Sequence, residues 1–261
     1  MTVNVIKIGG NVIDNEAKLQ KFIKNFSSLK DRKILVHGGG KIATKIAADL
    51  HIETKMVDGR RITDEPMREV VTMVYGGKVN KHVVSALQQN GCNAIGLSGA
   101  DAGVILAQKR PVKEIDYGFV GDIKSVNAGF IESLLNQNIT PVFAPLSFDP
   151  EHGMLNTNAD TQASEVARAL SENHEVNLIY CFEKKGVLLN ADDDDSVIPK
   201  LNPENYEKYK ADGVIYAGMI PKLDNAFAAV AAGVNKVIIC EADQLQLAVE
   251  TGEAGTAISL T

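Results

Sequence analysis

The chain has 261 residues, 45% of them hydrophobic, with a formal net charge of −6 and a pI near 5.4. That length accommodates one large α/β domain or two lobes around a substantial core, and the acidic balance argues against a nucleic-acid partner, so any anionic ligand must be met by local positive charge. No run of about 18 apolar residues and no charged-then-apolar leader is visible, which argues against a membrane span or secretory signal and sets a cytoplasmic expectation.

The first predicted strand, "VNVIKI" (3–8), carries Lys7 just before Gly9 and Gly10. A lysine in an apolar strand needs a partner, and no local carboxylate is obvious; either it snorkels to the sheet edge or an anion meets it at the strand's carboxyl end. Residues 16–29 place Leu19, Phe22, Ile23, Phe26 and Leu29 on one helical face. "KILVH" (33–37) is the second strand, followed by Gly38, Gly39, Gly40 and an amphipathic helix. A glycine loop opening a helix receives anions, because the first backbone N–H groups lack partners and carry the positive dipole end. Gly38, Gly40 and Ala43 also satisfy the dinucleotide spacing GxGxxG/A, with Asp58 about 20 residues on. A P-loop is the weaker reading, since Ile42 follows Lys41 where Ser or Thr is required. If both strands are parallel, the two glycine turns face one cleft.

"DGRRIT" (58–63) sets Arg60 and Arg61 ahead of a helix start; arginine clamps carboxylates through two hydrogen bonds, although solvated surface arginines are the plainer reading. Residues 65–89 form a long apolar helical pattern interrupted at Gly76 and Gly77, buried against another helix or another subunit. "CNAIGL" (92–97) and "ITPVFAPL" (139–146) read as strands, and 105–126 as hairpins projecting from the sheet as a substrate lid. "NTNAD" presents Asn156, Asn158 and Asp160 at alternate positions before the helix 158–172. They either share one side toward a ligand, with Asp160 holding a lysine, or supply an N-cap.

"VNLIYCF" (176–182) and "NKVIIC" (235–240) complete the strands. "ADDDD" (191–195) lacks the Gly and distal Glu of an EF-hand and reads as a solvated turn. "GMIPK" opens the helix 219–232 with Gly218, Pro221 and Lys222, so a helix N-terminus and a lysine act together. A last helical pattern covers 242–250. Cys92, Cys181 and Cys240 lie in or beside apolar runs and read as buried free thiols, and the five histidines show no metal-ligand spacing. The continuously apolar strands alternating with helices give an α/β class, a three-layer α/β/α sandwich with a mainly parallel central sheet.

Taken in order, "KIGG", "VHGGG", "GRRIT", "GFVGDI", "NTNAD" and "GMIPK" resemble the amino acid kinase family from about Lys7 to the C-terminus. Arg61 together with "NTNAD" resembles its acylglutamate-phosphorylating branch rather than aspartokinase, carbamate kinase or uridylate kinase. The resemblance implies two lobes: 1–172, binding an N-acylglutamate and dimerising, and 173–261, binding ATP with Mg2+ held mainly through the phosphates and no metal ligand from the protein. It implies that Gly39 and Gly40 touch the reacting carboxyl end, that Arg61 and Asn156 hold the α-carboxylate and acylamino group, and that Lys7 and Lys222 stabilise the transferred phosphoryl group with Asp160 orienting them. Gly9, Gly10, Glu183, Gly186 and Gly218 are the implied nucleotide-side positions.

The implied reaction is ATP-dependent phosphorylation of the γ-carboxylate of N-acetylglutamate in arginine biosynthesis. N-Succinylglutamate or an N-acylated aminoadipate is the neighbouring substrate, and a non-catalytic amino-acid or nucleotide sensor the alternative of another class. A γ-carboxylate is already ionised near neutral pH and needs no general base, which fits the lack of a catalytic His or Cys constellation. "FEKKGV" (182–187) departs from the family in Glu183, Lys184 and Lys185. The early position of Lys7 leads to the expectation of a homodimer without arginine feedback.

Overall fold

The computed structural model describes residues 2–57, 59–216 and 219–260. The chain runs β1 (Thr2–Ile8), α1 (Gly10–Ile13), α2 (Glu16–Ser28), β2 (Arg32–His37), α3 (Gly40–Asp49), the small pair β3 (Met56–Val57) and β4 (Arg60–Arg61), then α4 (Glu65–Val71), a π-helical stretch Thr72–Val79 and α5 (Asn80–Gln89). It continues through β5 (Ala94–Leu97), β6 (Ile105–Lys109), β7 (Gly121–Val126), α6 (Ala128–Asn136), β8 (Thr140–Phe143), β9 (Leu146–Asp149), β10 (Gly153–Asn156), α7 (Ala159–Ser171) and β11 (Glu175–Phe182). The remainder is β12 (Lys200–Leu201), α8 (Pro203–Ala211), α9 (Met219–Ala231), β13 (Lys236–Glu241), α10 (Leu245–Glu250) and β14 (Thr256–Ile258).

Eight strands form the central sheet in the order β12-β14-β13-β11-β1-β2-β8-β5. Among the described residues, only the β13–β14 pairing in this sheet is antiparallel. One face packs α2, whose Leu19, Phe22, Ile23 and Phe26 are fully buried, each contributing about 1.5–3 kcal/mol of burial. Asn15 starts this helix by accepting from the Lys18 N–H. The other face packs α7 and α9 through Ala163, Val166, Leu223 and Ala226 against Val3, Val5, Leu178 and Tyr180. Strand alternation puts Lys7 on this second face, with Val3 and Val5, and aligns it in register with Tyr180. The three-layer parallel sandwich expected from the sequence is therefore the observed one.

Two expectations change in detail. "ITPVFAPL" is not one strand: β8 ends at Phe143, and Leu146 opens β9 in a second sheet, order β10-β9-β6-β7. Pro145 stands between them and has no N–H to continue a ladder. The expected hairpin over 105–126 is present as the antiparallel pair β6–β7. Gly76 and Gly77 do not break the long helix; the ladder widens there into the π-helical stretch joining α4 to α5. Such widenings re-aim side chains at functional sites, and this one carries Tyr75 to the wall of the cavity described below.

Cys92, Cys181 and Cys240 are free and buried. The acidic run 191–195 forms an exposed turn whose Asp194 and Asp195 pair with Lys184 and Lys185. Among the described residues, no helix is long and apolar enough to cross a membrane, and no group of three His, Cys, Asp or Glu could hold a metal ion.

Candidate active site

The two glycine turns meet at the carboxyl edge of the parallel sheet, as their positions after β1 and β2 require. Gly38 N–H donates to the Ile8 carbonyl at 3.1 Å, and Gly9 N–H donates to the Cys181 carbonyl at 3.2 Å. A Cβ on Gly38 would stand 3.5 Å from the Gly10 nitrogen. Gly39 precedes α3 with φ 151°, where a Cβ would meet the Tyr75 ring at 3.2 and 3.3 Å. Both backbone and space exclude a side chain there. Gly39→Ala is expected to cost about 1–3 kcal/mol of stability; a urea midpoint equal to that of the wild type would show that the loop relaxes freely.

His37, noted in the sequence only for lacking a metal pattern, sets this loop. It is fully buried. Its Nδ1 donates to the Gly38 carbonyl at 2.7 Å, which leaves Nε2 to accept from Asn80 Nδ2 at 3.1 Å. Burial pushes its pKa down to about 4 from 6.5, so the folded protein holds a neutral ring of one tautomer. Between about pH 4 and 6.5 only the unfolded chain takes up this proton, so stability falls as pH drops through that window, by about 3 kcal/mol in total. His37→Asn keeps an N–H near the Nδ1 position and does not titrate. Its unfolding free energy should therefore decline less between pH 6.5 and 4 than that of the wild type; equal declines would refute a buried neutral His37.

Arg61 lies on β4 and is 7% exposed. Its Nη2 donates to the Gly40 carbonyl and to Thr44 Oγ1, both at 2.9 Å, and Nη1 donates to Thr54 Oγ1 at 3.2 Å. No carboxylate pairs with it among the described residues. A buried guanidinium met only by neutral acceptors is electrostatically incomplete without an anion. It lines a cavity of about 210 Å³ with Gly38, Gly39, Gly40, Tyr75 and Asn156. Asn156 donates through Nδ2 to Thr63 Oγ1 at 2.9 Å, and its backbone N–H bonds the Phe119 carbonyl. The structure thus brings Gly39, Gly40, Arg61 and Asn156 to one wall-to-wall space.

The alternation in "NTNAD" resolves into three different tasks. Asn156 and Asn158 line the cavity, and Asn158 caps α7 by accepting from the Asp160 and Thr161 N–H groups. Asp160 turns to Lys7, with Nζ 2.6 Å from Oδ1 and both side chains under one-tenth exposed. The carboxylate missing next to Lys7 in sequence is therefore supplied by α7, and the pair has no need of the sheet edge. Lys7 Nζ also lies 4.8 Å from the centre of the Phe182 ring, and Lys222 Nζ lies 3.8 Å from the same ring. Phe182, read from the sequence only as a strand end, is a shared cation–π seat for both ammonium groups. Burial lowers the pKa of Lys222; Asp160 pulls it back up, Lys7 lowers it and Glu183 raises it.

Gly9 caps α1, which Gly10 opens, and a Cβ on Gly9 would stand 3.5 Å from the Phe182 ring that seats both lysines. Glu183 is exposed, directly after Phe182. Gly186 is buried and has a packing reason to be glycine: a Cβ would meet Thr256 Oγ1 at 2.8 Å and Val197 Cγ1 at 2.9 Å. Gly218 and Asp58 lie outside the described residues. Sequence reasoning missed His37, Phe182 and Arg110. Arg110 follows β6 and lines the cavity, paired to Asp122 by Nε at 3.0 Å and Nη2 at 2.6 Å. Its only signal was a cation inside the segment read as a lid.

The profile of the amino acid kinase family matches residues 2–241. The chain belongs to the amino acid kinase family. An acetylglutamate kinase of Cytophaga hutchinsonii is 59% identical over 254 residues, covering 97% of this chain and 96% of its own. An acetylglutamate kinase of Phocaeicola vulgatus is 56% identical over 237 residues, covering 91% and 92%. The crystal structure of smu.665 from Streptococcus mutans UA159 superposes with a TM-score of 0.82 at 32% identity over 99% of both chains. The amino acid kinase resemblance carried by the six motifs is thus met over nearly the whole chain. The lysines that set "FEKKGV" apart within the family are tied to the acidic turn rather than free.

Proposed function

We propose that the protein transfers the γ-phosphoryl group of ATP to the γ-carboxylate of N-acetyl-L-glutamate, forming N-acetyl-L-glutamyl 5-phosphate and ADP in arginine biosynthesis. The observation that carries this reading is the buried Arg61 guanidinium, with no carboxylate partner among the described residues, lining one cavity with the glycine loop and with Asn158 and Ala159, which lead directly into Asp160, the partner of Lys7. The similarity to acetylglutamate kinases at 59% and 56% identity supports the choice of substrate.

In this reading Arg61 clamps the α-carboxylate and Asn156 meets the acylamino group, which presents the γ-carboxylate to the amides of Gly39 and Gly40. The nucleophile is already ionised, so the barrier lies in bringing two anions into line. Lys7 and Lys222 neutralise the oxygens of the transferred group, and the positive end of α9 adds to Lys222. Asp160 keeps the two ammonium groups charged and apart. In this reading Mg2+ held through the phosphates would supply further neutralisation. Gly9 and Gly10 serve the phosphates, and Glu183, Gly186 and Gly218 the nucleotide side. Residues 1–172 form the acylglutamate lobe and 173–261 the ATP lobe.

A homodimer in the cytoplasm completes the reading. Met73 on the long helix and Ile95 on the edge strand β5 are exposed apolar side chains that fit a second copy. The decisive experiment traps acyl phosphate with hydroxylamine. Hydroxamate formation that depends on ATP, Mg2+ and an N-acylglutamate, and fails with free glutamate, is expected. No hydroxamate from any N-acylglutamate would overturn the function.

A further inference from the structure

The acylglutamate cavity holds more positive charge than its proposed ligand uses. Arg61 suffices for the α-carboxylate, and the γ-carboxylate faces the glycine amides and lysines. Two further arginines, Arg60 and Arg110, line the same cavity. Both also line a neighbouring space of about 640 Å³, whose charged residues are Arg60, Arg110, Lys113 and Lys124 against Glu114 and Asp122. The glycine loop does not reach that second space, so the two arginines mark where the substrate cavity opens away from the phosphoryl end.

Neither arginine is fully occupied. Arg60 is exposed, and its side chain makes no hydrogen bond or ion pair among the described residues. Arg110 is held along one edge by Asp122 and lies against the Tyr117 ring, 5.3 Å from its centre. Its Nη1 is shielded from solvent and has no hydrogen-bond partner among the described residues. An N–H cut off from water and left unmet favours any ligand that brings an acceptor. A guanidinium already oriented by a carboxylate loses little freedom on binding a second one.

Resting on the acylglutamate reading, we propose that Arg60 and Arg110 are specificity-determining residues that select an acyl group ending in a carboxylate, a dicarboxylic monoacyl such as succinyl, over an uncharged acyl group of the same length. N-Acetylglutamate brings no second carboxylate to either arginine. The charged chain places its carboxylate between them, where the cavity opens. An acceptor met by charged donors discriminates far more strongly than a methylene in an apolar pocket.

The test compares kcat/KM for N-acetyl-, N-butanoyl- and N-succinyl-L-glutamate with the full chain, following ADP release. Butanoyl matches succinyl in length and lacks only the charge. The succinyl compound is expected to exceed the butanoyl compound by about 10- to 100-fold. Arg60→Gln and Arg110→Gln should each bring that ratio toward one, mainly through KM. Arg110→Gln combined with Asp122→Asn repeats the measurement without stranding the Asp122 charge. Equal turnover of succinyl and butanoyl compounds, turnover of the acetyl compound alone, or a ratio that survives all these variants would overturn the proposal and leave the kinase reading standing. Absence of turnover with every acylglutamate would instead defeat the kinase reading on which the proposal rests.

Discussion

Lys222→Ala is expected to lower kcat by about 10²- to 10³-fold, the usual cost of removing one donor aimed at developing charge, while KM for both substrates changes little. Lys222 projects from the first turn of α9 onto the Phe182 ring, with Nζ 3.8 Å from its centre. It faces Asp160 and Lys7 rather than the cavity that holds Arg61. In the proposed mechanism its contact is with the group in flight, so it should strengthen in the transition state and appear in kcat. The pKa of Lys222 lies below the usual 10.5, chiefly through burial. The free enzyme should therefore lose kcat/KM on the alkaline side below the pH at which an exposed lysine titrates, because the charged form is the active one. Bound polyphosphate favours the ammonium and moves the corresponding limb of kcat to higher pH. Steady-state kinetics over pH 7–11 test both points; a variant that loses substrate affinity and keeps its turnover would remove Lys222 from the transition state.

Asp160→Asn should be nearly as damaging for a different reason. The substitution keeps the shape and removes the only carboxylate within ion-pair distance of Lys7 among the described residues. Two ammonium groups would then share the Phe182 ring with no counter-charge between them. Breaking a buried pair by deleting one partner costs about 3–5 kcal/mol, because the remaining charge is stranded. One lysine relieves the strain by giving up its proton. Asp160 raises the pKa of Lys222, so in the variant that pKa falls further and the alkaline limb moves to still lower pH. Turnover near neutrality should drop by about 10- to 100-fold, since a neutral lysine contributes no charge to the phosphoryl oxygens. Thermal unfolding and a pH–rate profile measured on the same sample separate the two effects. Unchanged rate and midpoint would reduce Asp160 to an ordinary first-turn residue of α7.

The fold was largely legible in the residues. Continuous apolar runs identified the parallel strands, the 3.6-residue rhythm of 16–29 named the buried face of α2, and glycine turns after β1 and β2 located the cleft. Each is a local signal: a strand buried on both faces is apolar throughout, and a helix beside it shows one apolar stripe. Arg61 and Asn156 were legible through motif order. The split of "ITPVFAPL" into two sheets was not, since Pro145 marks a break without saying where the chain goes next. The widening at Gly76 and Gly77 was equally hidden, because two glycines signal a weak point and not how the neighbouring turns repair it.

The sequence by itself determined the layered parallel architecture, the three free thiols, and the glycine turns at the ends of the first two strands, since periodicity and residue chemistry act over short stretches. Tertiary structure alone decided what those groups meet. It set Asp160 of α7 beside Lys7 of β1, placed Phe182 under both lysines, used His37 to hold the Gly38 carbonyl, and brought Arg60 and Arg110 to one opening. The physical reason is that these pairings depend on strand register and on which helix covers which face of the sheet. Those are settled by burying the whole apolar surface at once, and no single stretch of chain carries that information.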